Sequence, residues 1–143
     1  MTNEMTIEEF QNDTPKRLNW LEEKGFERIK ELEAHGQTYS TLVYCGENVA
    51  FEFSLDIRDQ CLDAEVISVK DGKLMRNIDG GYSCDIYKHL VMVEGYRGRV
   101  SEGADVTLGE TLLDKAIDGW TFLLNKAGED LLSDREIRTN QEM

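Results

Sequence analysis

The sequence predicts an α+β fold: an antiparallel meander of four to five strands, with helices from both ends of the chain packed on one sheet face. Three observations predict it. Val49, Phe51, Phe53 and Leu55 alternate strictly with Ala50, Glu52, Ser54 and Asp56, the period of a half-buried strand. Asp71-Gly72 follows the next apolar run and has the composition of a two-residue hairpin turn. Leu108, Leu112, Leu113, Ala116, Ile117, Trp120, Leu123 and Leu124 recur at helical spacing.

The elements follow in chain order. Thr6 and Glu9 have the spacing of a capping box and open a short helix carrying Ile7 and Phe10. Asp13 or Thr14 is the expected cap of a second helix, because Pro15 suits a first helical position. Leu18, Trp20 and Leu21 give that helix an apolar side, and Gly25 is placed to end it. Phe26 to Ala34 is a modest strand candidate, and Thr38 to Cys45 a stronger one. Gly46-Glu47 turns the chain into the alternating strand. Cys61 to Lys70 is the next strand, and Lys73 to Ile78 returns as a short edge strand. Ser83 or Asp85 caps a helix holding Ile86, Leu90 and Val93, with Gly95 as its stop. Thr107 and Glu110 repeat the capping-box spacing ahead of the long leucine-rich helix. Ser133 and Glu136 repeat it once more with little apolar sequence behind. Repeats and linkers are absent, so residues 1–143 read as a single domain with frayed ends near 1–5 and 138–143.

Charge narrows the function classes. The chain has 29 acidic and 16 basic residues, a formal net charge of -13 over 143 residues. Both halves carry the excess, so it belongs to the domain and not to a tail. Such a field repels nucleic acid and anionic membrane, so neither is an expected partner. Residues Met1 to Phe10 lack the basic and apolar regions of a secretory signal, and no apolar run reaches membrane-span length. Cys45, Cys61 and Cys84 are odd in number and irregular in spacing, which fits reduced thiols in a cytoplasmic protein.

Motifs with chemistry are weak. Zinc ligands usually come in close pairs, and here the nearest pair is Cys84 and His89. Asn77, Asp79 and Gly80 echo a calcium loop, but Met75 and Ile86 occupy its first and last ligand positions; a turn is the better reading. Gly80-Gly81 lacks the lysine of a phosphate-binding loop. His35 and His89 read as loop and helix-surface residues, and Trp20 and Trp120 as core. No cofactor, metal or catalytic residue is expected.

Two acidic surfaces remain as candidates for partner binding. Glu110, Asp114 and Asp118 recur every four residues along the long helix, where like charges repel. Glu52 and Asp56 share the wet face of their strand, Asp63 and Glu65 share a face of the next, and Asp59 lies in the loop between. Tyr82, Tyr87 and Tyr96, with Arg97 and Arg99 beyond, form a weaker aromatic candidate.

The layout resembles small immunity proteins of bacterial toxin–immunity systems, including contact-dependent growth inhibition. The resemblance rests on the lead from Leu21 to Gly25-Phe26, the strand Val49-Ala50-Phe51-Glu52-Phe53 with Asp56-Ile57-Arg58 at its end, and the closing helix Leu112 to Leu124. It implies a non-enzymatic, cytoplasmic inhibitor, monomeric or homodimeric, that binds one toxin domain, usually a nuclease. Nuclease domains are commonly basic, which an acidic inhibitor complements. Contact residues vary in such groups, so none transfers by position. The alternatives are an acidic adaptor or effector chaperone for another basic protein and, less favoured, a small-molecule enzyme with an acidic cleft.

Overall fold

The computed structural model describes residues 5–97 and 112–137. Helix α1, Ile7–Arg17, starts at Thr6, whose Oγ1 accepts a hydrogen bond from the Glu9 amide at 3.1 Å. The expected second start at Asp13 or Thr14 does not occur, because α1 runs on through Pro15. Proline removes only one helical bond there, near the helix end. The buried face Phe10, Thr14, Leu18 and Leu21 continues across it at helical spacing, which holds the turn together. Helix α2, Asn19–Glu23, follows and ends at Gly25, with φ of 101°.

The first strand candidate shrinks to β1, Glu27–Arg28, followed by a 3-10 turn at Lys30–Leu32. On the outer edge of β2, Tyr39–Cys45, the Ile29 amide still donates to the Val43 carbonyl at 3.0 Å, while the Val43 amide is taken by the Glu33 carboxylate at 3.0 Å in place of a strand carbonyl. The meander continues through β3, Val49–Asp56, and β4, Cys61–Lys70. Asp71 and Gly72 both have positive φ, 53° and 77°, as the hairpin composition predicts. Strand β5, Lys73–Met75, then pairs with Ser68–Lys70. A 3-10 turn at Asn77–Asp79 leads to β6, Ser83–Asp85, which the sequence does not announce. β6 pairs with Glu65–Ile67, so β5 and β6 lie end to end along one edge of β4.

Asp85 caps α3, Ile86–Met92, its Oδ2 accepting the Lys88 amide at 3.0 Å. Gly95, φ 74°, follows the helix as expected. Helix α4 spans Leu112–Ala127 and α5 spans Glu129–Leu132. Thr107 and Glu110 lie outside the described residues, as do Leu108 and Arg99. The capping-box spacing at Ser133 opens no helix among the described residues. Ser133 ends α5 and its hydroxyl donates to the Glu129 carbonyl at 2.8 Å.

The helices share one sheet face. Leu42, Tyr44, Phe51, Phe53, Leu55 and Val66 form the sheet side of the core and meet Phe10, Leu21, Leu90, Ile117 and Leu124 from the helices. Trp120 stacks obliquely on Phe53 at 5.0 Å, and Trp20 Nε1 donates to Thr121 Oγ1 at 3.2 Å. The strand register puts Glu52, Ser54, Asp56, Asp63 and Glu65 on the other face.

Candidate acidic interface

The open sheet face divides along its length. Ala50, Ile67 and Val69 form a small apolar cluster at one end, buried with Cys45 and Leu74 packed against it, so only the other end is open. The acidic residues occupy the other end. Glu52 lies directly opposite Glu65, Ser54 opposite Asp63, and Asp56 opposite Cys61. Cross-strand neighbours stand about 5 Å apart, so the two glutamates would repel. Arg76 sits between them. Its Nη2 donates to Glu52 at 2.7 Å and its Nη1 to Glu65 at 3.3 Å.

That bridge is lopsided. The Glu52 side chain is 15% exposed and the Glu65 side chain 43%. Burial and then the Glu52 charge push the Glu65 carboxyl up from its ordinary value, against the pull of Arg76. Asp63 and Asp59 are exposed, and Asp56 Oδ1 accepts the Arg58 amide at 3.0 Å. Asp85 faces Glu65 from β6 and extends the patch. The Cys61 thiol senses this field: burial first, then Asp63, Asp59 and Asp56, raise it above its ordinary value. The fold therefore gathers Glu52, Asp56, Asp59, Asp63 and Glu65 around one end of the β3–β4 pair.

The second predicted surface has a different fate. Asp114 and Asp118 lie on α4, on the helix side of the sheet, and both accept from Arg17 of α1. The stripe is a clamp between two helices, so its expected repulsion is relieved by a residue nearly a hundred positions earlier. Glu110 is outside the described residues.

Several other readings change. Tyr82, Tyr87 and Tyr96 are partly buried against the core, with Tyr87 and Tyr96 edge to face at 6.3 Å, so they do not form an exposed aromatic patch. His89 is fully buried and not on a helix surface. Its Nδ1 lies 2.6 Å from the Tyr82 hydroxyl, and its Nε2 lies 3.8 Å from Glu94 with no hydrogen-bond partner among the described residues. Burial pushes the imidazole down to about 4. Burial and then Asp130 push the nearby Glu94 carboxyl up. His35 remains exposed and touches Glu33, Ser40 and Gln11.

Two structural carboxylates escape the sequence reading. The Glu33 side chain is fully buried and takes bonds from Arg28 at 2.9 and 3.0 Å, besides Val43 and His35. Burial pushes its carboxyl up, but those bonds outweigh burial and hold it below the ordinary carboxylate range. Asp134, with φ of 55°, accepts the amides of Glu47, Asn48 and Val49 at 2.6, 2.9 and 2.9 Å. It locks the β2–β3 turn to the chain after α5. A Cβ on Gly46 would collide with this carboxylate and push it from the amides it holds.

All three cysteines are free thiols. Among the described residues no three His, Cys, Asp or Glu side chains converge as a metal-holding group, and no helix is long and apolar enough to cross a membrane. No family model, no curated protein and no solved structure matches this chain.

Proposed function

We propose that this protein is an immunity-type inhibitor that binds a basic toxin domain through the open face of its sheet. One observation carries the reading. The helices cover one sheet face, and on the other Glu52, Asp56, Asp63 and Glu65 gather at one end. A net charge of -13 adds long-range attraction for a cationic partner and discourages nucleic acid, the target of a nuclease toxin.

The exposed members would make the first contacts. Asp63, Asp59 and the outer half of Glu65 are available to incoming Lys or Arg. Glu52 is largely committed to Arg76 and supports the face from beneath. Ile78, 91% exposed two residues beyond Arg76, offers an apolar contact beside the charged one.

The test is protection. A basic domain encoded beside this gene is expressed with and without the protein, and growth and complex formation are measured. The proposal expects rescue of growth and a stoichiometric complex whose formation slows as salt is added. Absence of both rescue and complex overturns the assignment. Rescue by a complex whose association ignores salt overturns the electrostatic part. A complex that leaves the domain's toxic activity intact points instead to a chaperone.

A further inference from the structure

A groove of about 610 Å³ opens on the surface. Its walls come from the end of α1, from α2, and from the β1 region. Lys16, Arg28 and Lys30 line it, together with Asn19 and Glu22. Pro15 and Tyr44 complete the surface. Three cations in one groove stand out in a chain with so large an acidic excess.

The cations are unevenly committed. Arg28 gives Nε and Nη2 to Glu33, which leaves Nη1 without a partner among the described residues. Lys16 and Lys30 are exposed and make no ion pair there. Tyr44, 1% exposed overall, also lines the groove, and its hydroxyl makes no hydrogen bond among the described residues. Burial pushes this phenol up to about 12, so it stays a donor at neutral pH.

We propose that the groove binds a small phosphate ester bearing hydroxyl groups. The phosphate would rest on Lys16, Lys30 and the open edge of Arg28, with the Tyr44 hydroxyl donating. A phosphate monoester carries close to two negative charges, which suits several donors and cations better than a single carboxylate does. Glu22 would repel a bare anion but accepts hydrogen bonds from hydroxyls, and the Asn19 amide can do the same or donate. The volume is in the range of small-molecule sites. A sugar phosphate and a nucleoside monophosphate share this chemistry.

An amide chemical-shift titration of the whole protein tests it, at fixed ionic strength, with ribose 5-phosphate, adenosine 5'-monophosphate, inorganic phosphate and ribose. The proposal expects saturable shifts around residues 15–30 and Tyr44 with at least one ester, weaker binding of inorganic phosphate, and none of ribose. The tighter ester identifies the class. Lys16→Gln with Lys30→Gln should weaken binding at least about tenfold, and Tyr44→Phe by about tenfold, the scale of one charge-assisted hydrogen bond. Near-ultraviolet circular dichroism checks that each variant is folded. No saturation by either ester below about 10 mM overturns the proposal, as does equal affinity in the folded double-lysine variant. Inorganic phosphate binding as tightly as both esters overturns the role given to the hydroxyls. None of these results bears on binding of a basic domain by the open sheet face.

Discussion

Two acidic surfaces of this chain look alike as sequence and differ as structure. On α4, Asp114 and Asp118 are spent on Arg17 and bind one helix to another. On the open sheet face, Asp63 and Asp59 point to solvent and Glu65 is only half engaged by Arg76. Glu33 and Asp134 belong with the first group, since the fold uses each to hold its own backbone. Net charge alone therefore says little about which carboxylates are free for a partner. What separates the groups is whether the fold supplies a donor.

The comparison predicts that stability depends on the inward carboxylates and not on the outward ones. The largest effect is expected at Glu33. Glu33→Ala leaves Arg28 partly buried without its counter-charge, and should cost about 3 kcal/mol or more in urea unfolding. A loss below about 1 kcal/mol would place Glu33 with the outward group.

A buried base provides the pH counterpart. The His89 imidazole has a folded value of about 4 against an ordinary 6.5, so the unfolded chain takes up the proton first as pH falls. Stability from this group is complete above 6.5 and is lost as pH falls toward 4, by about 3 kcal/mol in all. Glu65 and Glu94, whose carboxyls are raised, act in the opposite direction, gaining stability as pH falls through their folded values. The difference between wild type and His89→Leu across that pH range isolates the histidine. Parallel pH profiles for the two proteins would contradict its burial as the neutral form.

Asp134 comes next. Asp134→Ala removes the acceptor of three amides and puts alanine at positive φ, at a cost of about 2 kcal/mol. Asp134→Asn keeps an acceptor and tolerates that backbone, so it should lose about half as much. Faster amide exchange at Glu47, Asn48 and Val49 would accompany the alanine change. The Arg17 clamp should contribute least, because its members are about a third exposed: Arg17→Ala is expected to cost about 1 kcal/mol or less in thermal unfolding.

Much of the fold was legible locally. The strand Val49–Asp56, the Asp71-Gly72 hairpin and the Thr6 cap each depend on residues adjacent in sequence, and each forms as read. The gathering of Glu52, Asp56, Asp63 and Glu65 followed from alternation plus a short turn. The readings that failed needed distant partners. Arg17 meets Asp114 and Asp118 only because the two helices pack side by side. Asp134 turns out of a helix because a hairpin far earlier in the chain offers three amides. Glu33 finds the Val43 amide for the same kind of reason. His89 was legible and missed: Ile86, His89, Leu90 and Val93 are one helical stripe, and the imidazole interrupts it only in polarity.

The central claim is that the outward acidic face, and not acidity in general, recognises a basic partner. The most direct measurement is the association rate of the neighbour-encoded basic domain with two charge-matched variants at low salt. One carries Asp63→Lys and Glu65→Lys; the other carries Glu8→Lys and Glu23→Lys, exposed acids on the helix side. The account predicts at least about a tenfold slower rate for the first and less than about threefold for the second. Equal slowing of both would contradict it, leaving only a diffuse charge effect.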